Sequence, residues 1–152
     1  MKRISTLGLG LLTLSIAACG GTSESARALT KVSGKVLIGT KPVSGALVQF
    51  VPTATDGESV SARTGADGTY QLVSARGEAG GVPGTYKITV TRLIGADGKE
   101  LPEGSSPFSS GGKESIPETY TNLEQSPLMA KIPADKPEAT IDFTLQGSLA
   151  SR

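Results

Sequence analysis

Thr85-Tyr86-Lys87-Ile88-Thr89-Val90-Thr91-Arg92 carries the clearest alternation in the chain. Tyr86, Ile88 and Val90 take every second position, with Thr85, Lys87, Thr89 and Thr91 between them. Successive side chains of a strand point to opposite faces, so this period of two describes a strand with one buried and one wet face. The same alternation recurs upstream: Val32, Gly34, Val36 and Ile38; then Ala46, Val48 and Phe50 before Pro52. Val60 and Ala62 follow within Ser59–Thr64, and Tyr70 and Leu72 within Thr69–Ser74. Downstream it returns in Ser126–Ile132 through Leu128, Ala130 and Ile132, and in Ala139–Gln146 through Ile141, Phe143 and Leu145. Between these runs lie turn formers: Gly39-Thr40-Lys41-Pro42, Gly65-Ala66-Asp67-Gly68 and a Gly-rich loop from Gly77 to Gly84. Asp-Gly readily supplies the positive φ of a tight reversal, so Asp97-Gly98 is read as closing a small hairpin between Leu93-Ile94 and Glu100-Leu101. Ile116–Tyr120 suits one short turn, and Gly104–Gly112, without any period, reads as a mobile surface loop. About seven short strands at regular spacing predict an all-β sandwich over residues 29–147, followed by a tail at 148–152.

Composition narrows the chemistry. The 152 residues include no histidine and one cysteine. That excludes Ser-His-Asp and Cys-His nucleophilic sites, histidine general bases and most zinc or copper sites. Any catalysis would have to use carboxylates, lysines or hydroxyls. Three Phe, three Tyr and no Trp leave a core built mainly of Val, Ile, Leu and Ala. With 15 Lys and Arg against 14 Asp and Glu, and no basic stripe, nothing points to nucleic acid as a partner.

The first 18 residues follow different rules. Lys2 and Arg3 precede an uncharged run from Ile4 to Ala18. A bilayer span needs about 20 apolar residues, so this run suits an export signal rather than a permanent span. It ends in Ile16-Ala17-Ala18-Cys19-Gly20: a branched apolar residue, two small ones, then the sole cysteine. This resembles the lipobox of bacterial lipoproteins. The resemblance implies that the Cys19 thiol receives a diacylglyceryl group, that cleavage falls between Ala18 and Cys19, and that the new amino group is acylated, palmitate being a typical chain. Two or three acyl chains, each burying about 0.8 kcal/mol per methylene, hold a protein on a membrane well. Gly20 and Gly21 in place of an aspartate after the cysteine favour the outer over the inner membrane. Residues 19–28 read as a flexible tether; its nine residues from Gly20 to Ala28 would span roughly 17 Å. Loss of Lys2 and Arg3 with the signal would leave 13 basic against 14 acidic residues.

Val32-Ser33-Gly34-Lys35-Val36, Lys41-Pro42-Val43-Ser44-Gly45-Ala46-Leu47-Val48-Gln49-Phe50, Thr64-Gly65-Ala66-Asp67-Gly68-Thr69-Tyr70 and Pro83-Gly84-Thr85-Tyr86-Lys87-Ile88-Thr89-Val90 together resemble the carboxypeptidase regulatory-like domain. That domain is a Greek-key sandwich similar to transthyretin (the prealbumin-like fold) and to Cna-B repeats. Ile116-Pro117-Glu118-Thr119-Tyr120 followed by Ser126-Pro127-Leu128 is similar to the small lipoproteins of planctomycete bacteria. The resemblance, spanning Val32 to Leu145, implies a fold and an envelope location but no reaction, since such domains serve as accessory modules, spacers and carbohydrate binders.

Candidate constellations are few. Ser110-Gly111-Gly112-Lys113 has a Ser-x-x-Lys spacing, but two glycines oppose the helix that would join hydroxyl and amine. The Asp-Gly pairs at Asp56, Asp67 and Asp97 lack the alternating oxygens of a calcium loop and read as turns. Lys35 and Asp142 are the imaginable partners of a Cna-B-type isopeptide bond, yet both alternate outward. Transthyretin-like hydrolases need histidines that this chain lacks. Tyr120 is the one tyrosine outside an inward strand position, hence the candidate ligand contact or else a plug at the end of the sandwich. The expected function is a non-catalytic binding or structural module held at the cell envelope by lipid on Cys19, with an envelope protein or glycan as partner and no cofactor. A carbohydrate-binding module at the cell surface is the alternative, and a carboxylate-only enzyme a distant third.

Overall fold

The structure, a computed structural model, describes residues 28–55, 57–101 and 111–149. The expectations for the signal, Ala18, Cys19, all of the tether but Ala28, Asp56, Ser110, nearly all of the Gly104–Gly112 loop and the last three residues lie outside the described residues. The strands are β1 (Lys31–Ile38), β2 (Lys41–Pro42), β3 (Leu47–Pro52), β4 (Val60–Arg63), β5 (Thr69–Gln71), β6 (Val73–Ser74), β7 (Gly84–Thr91), β8 (Leu93–Ile94) and β9 (Lys113–Glu114). One helical turn, α1 (Glu118–Thr121), then precedes β10 (Met129–Ile132), β11 (Glu138–Thr140) and β12 (Phe143–Leu145).

Two sheets face one another. One is built around β1, with β2 and β5 antiparallel along one edge and β11 and β12 parallel along the other. The other is antiparallel throughout, in the order β10-β7-β3-β4-β6. Its spine is the most regular of the alternating runs: β7 pairs with β3 from Leu47↔Thr91 to Pro52↔Tyr86. Inward residues of both sheets form one core, Val32, Val36, Phe143 and Leu145 meeting Val48, Phe50, Tyr86, Ile88 and Val90. The protein is an all-β sandwich.

Two of the expected strands are each divided by geometry that their alternation does not reveal. Thr69–Ser74 keeps Tyr70, Leu72 and Ser74 buried, but β5 pairs with β1 while β6 pairs with β4 in the opposite sheet. The chain thus changes sheets at Leu72, and the Asp67-Gly68 reversal passes it from one layer to the other. The last strand is interrupted at Ile141-Asp142, between β11 and β12. With the two-residue strands β2, β8 and β9, these divisions turn about seven expected strands into twelve among the described residues. Ser126–Leu128 falls short of strand β10, Pro127 having no N–H to give to a ladder.

The interruption has its own bonding. The Ile141 N–H donates to the Ser33 carbonyl at 2.8 Å, and the Asp142 Oδ1 accepts the Lys35 N–H at 2.8 Å, in place of a ladder carbonyl. The Tyr70 hydroxyl donates to the Ile141 carbonyl at 2.6 Å. Gly34 lies under this carbonyl, where no side chain fits: a Cβ there would be 1.8 Å from the oxygen.

The core is built mainly of Val, Ile, Leu and Ala, as expected, and the aromatic residues gather at its centre. Phe50 lies 6.3 Å from Tyr70, 5.9 Å from Tyr86 and 5.9 Å from Phe143, ring centre to ring centre. Tyr70 and Phe143 stack at 6.3 Å. Burial pushes the Tyr70 phenol above its ordinary value, and the negative charge of Asp142 adds to the effect. The sign of the pH dependence follows. The unfolded chain ionises Tyr70 near pH 10, whereas the folded chain keeps it neutral, so stability is whole below about pH 10 and falls as pH rises beyond it. Denaturant titrations between neutral pH and pH 11 should show this decline, and Tyr70→Phe should flatten it. An unchanged alkaline slope in the variant would refute the assignment.

The sandwich has two distinct ends. At the near end the chain joins the fold: Thr30 bridges to Gly81, and its hydroxyl donates to the Pro133 carbonyl at 2.8 Å. The loops after β3, β6 and β10 share that end. The far end carries the β1–β2 and β4–β5 turns and the described residues from Arg92 to Leu101.

Candidate functional site

The far end holds the densest polar arrangement among the described residues, centred on Arg92, just beyond the last residue of β7. Inward alternation stops there, and the side chain lies along the end of the sandwich, 15% exposed. Its Nε donates to the Ser44 carbonyl at 2.7 Å and its Nη1 to the Ser115 Oγ at 3.2 Å, while Nη2 lies 3.6 Å from the Glu100 carboxylate. Ser44 Oγ donates to the same carboxylate oxygen at 2.6 Å. One guanidinium therefore ties together the loop before β3, the β8 hairpin and the segment after β9. Its planar fork of donors suits this role better than a lysine's single ammonium.

Glu114 completes the arrangement from the other side. One of its oxygens accepts the backbone N–H groups of Arg92, at 2.8 Å, and of Ile116, at 2.9 Å. Ser115, fully buried, returns its own N–H and hydroxyl to the Arg92 carbonyl at 2.9 and 3.0 Å. No buried side-chain nitrogen or oxygen among the described residues lacks a partner. Chemically the cluster is an occupied scaffold: its donors and acceptors hold loops in place. Glu114→Ala should cost about 2 kcal/mol, since bonds to a charged acceptor are worth roughly 1.5–3 kcal/mol each when buried and less at a half-exposed site. Glu114→Gln, keeping one carbonyl, should lose about half as much. Urea unfolding of both variants measures the difference, and equal losses would contradict the role of the shared oxygen.

The residues singled out in the sequence are placed as follows. Tyr120 sits in α1 and is buried in the core, 7% exposed, with its hydroxyl accepting the Gln146 N–H at 2.9 Å. A ring so enclosed has no free face for a sugar, so the structure makes it the plug at the far end and not a ligand contact. Lys113 lies in β9, paired with Ile94, and not on a helix. Lys35 is half-buried and Asp142 exposed, and it is the Lys35 backbone, not its amine, that meets the Asp142 carboxylate. Asp67 and Asp97 each accept the N–H two residues on, from Thr69 at 3.1 Å and Lys99 at 3.0 Å, as turn-forming aspartates do. The side-chain and backbone bonds from Thr69 hold the Asp67 carboxyl below its ordinary value. Among the described residues no three His, Cys, Asp or Glu side chains converge as a group that could hold a metal.

Sequence reasoning missed the Arg92 cluster altogether. Its members come from positions 44, 92, 100, 114 and 115, and no spacing along the chain joins them. The single usable signal was an arginine ending the strongest strand.

Comparison with known proteins adds little. No family model matches the chain, and no curated protein matches it. A 9R-lipoxygenase from Cyanothece PCC8801 is 14% identical, with 80% of this chain and 17% of that chain covered, at a TM-score of 0.36. The chain therefore spans under a fifth of that enzyme's length, and a likeness of this degree carries no argument about fold or activity.

Proposed function

We propose that this protein is an envelope lipoprotein, anchored through acyl chains on Cys19, whose β-sandwich serves as a non-catalytic binding or structural module. The observation that carries the reading is Ile16-Ala17-Ala18-Cys19 placed directly behind a cationic start and an uncharged run. Small residues before the cysteine let a peptidase close on that backbone, and the sole cysteine has no thiol partner. The ordered far end supports a binding role, because loops held by Arg92 and Glu114 present a preset surface and little ordering entropy remains to be lost on binding. The partner class is an envelope protein or a glycan. No observation favours the glycan, since Tyr120 is buried.

Labelled palmitate should enter the wild-type chain and sediment with membranes, and Cys19→Ser should abolish both. Unlabelled wild-type protein, or a serine variant that still sediments, would overturn the anchor. Crosslinking in intact cells followed by mass spectrometry tests the module: a stable co-purifying partner supports it, and turnover of an envelope substrate refutes it.

A further inference from the structure

The near end of the sandwich carries a groove of about 440 Å³ whose wall includes Ala28, Pro52, Ala54, Val82, Pro83 and Ala134. Among the described residues no charged side chain lines it, and the hydroxyl of Tyr86, another lining residue, is committed to the Val82 carbonyl at 2.7 Å. Glu58 acts on that phenol without lining the groove. Two other grooves toward this end are charged, one with Lys31 and Glu138, the other with Lys131, Asp135 and Lys136. The apolar one stands out for a second reason: Ala28, part of its wall, is where the chain arrives from Cys19, eight intervening residues away.

From this we propose that the groove is a membrane-docking face, occupied by the acyl region of the bilayer that holds Cys19. The inference rests on the lipid-anchor reading and deepens it. A tether of this length confines the domain within a few nanometres of the bilayer, at a high effective concentration of lipid, so a small uncharged groove suffices to seat it. Docking orients the sandwich, with the near end on the lipid and the Arg92 cluster directed away from the membrane, toward a partner.

Fluorescence quenching in vesicles tests the orientation. Cys19 being the only cysteine, one added cysteine can carry a single thiol-reactive fluorophore once Cys19 is acylated. Acylated full-length chain bearing the probe at Ala134→Cys (groove), Ala79→Cys (near end, outside the groove) or Lys99→Cys (far end) would be placed in phosphatidylethanolamine–phosphatidylglycerol vesicles with nitroxide-labelled acyl chains. The groove position should be quenched about threefold or more above the other two, since docked apolar faces reach the headgroup–acyl boundary. Ala54→Asp, at an exposed wall position, should remove that excess without unfolding the chain. Equal quenching at all three positions, or an excess that survives Ala54→Asp, overturns docking. The mass of Cys19 in the same sample separates the two failures: an acylated chain with uniform quenching sinks docking alone, and an unacylated one sinks the anchor as well.

Discussion

Gly34→Ala should be the most damaging single substitution in the sandwich, costing about 4 kcal/mol or more. The added methyl would stand 1.8 Å from the Ile141 carbonyl oxygen and 2.9 Å from the Tyr70 ring. Its first obstacle is backbone, so no rotamer change relieves it. That same carbonyl accepts the Tyr70 hydroxyl, and the next residue's carboxylate accepts the Lys35 N–H. Moving the strand away therefore breaks the hydrogen bonds that join the end of the chain to β1. Small domains are stable by only about 5–15 kcal/mol, so much of the population would unfold. Gly39→Ala is the control: nothing lies within 4 Å of the added carbon there, and the only penalty is its φ of 60°, about 1–2 kcal/mol. Urea midpoints read by circular dichroism should separate the two clearly. Similar midpoints would mean that the close approach of Ile141 to β1 is wrong.

Phe50→Ala should follow closely, at about 3–5 kcal/mol. Phe50 is fully buried and packs against Tyr70, Tyr86 and Phe143, so truncation opens a cavity between the sheets and removes ring contacts, two of them edge-on, worth about 0.5–1.5 kcal/mol each. The surrounding rings are rigid and collapse poorly into the space. Phe50→Leu, keeping much of the volume, should lose less than half as much, and Met129→Ala, on a side chain 60% exposed, should change stability by no more than about 0.5 kcal/mol. A Phe50→Ala midpoint close to that of Met129→Ala would show that the rings do not form the centre of the core.

Neither effect was visible along the chain, for different reasons. The alternation around Phe50 shows that it faces inward, but only the pairing Phe50↔Ile88 and the facing sheet bring three distant rings to it. Gly34 reads as one more inward position of β1. What makes it irreplaceable is a residue 107 positions away, through a parallel pairing whose crossover is nearly the whole domain. The turns were far more legible, because an aspartate bonding the N–H two residues on is a local event. Asp67 and Asp97 both do so.

The strand alternation, the all-β class, the reversals at Asp67-Gly68 and Asp97-Gly98, and the expectation of a lipid anchor at Cys19 were all readable from residue order, because each rests on neighbours within a few positions. Which sheet each strand joins, the parallel seam of β1 with β11 and β12, the burial of Tyr120 and the joining of Arg92 to Glu100, Ser44 and Ser115 emerge only in the packed chain. Those depend on contacts between groups far apart in sequence. Periodicity shows which way a side chain faces, and only the packed fold supplies what it meets there.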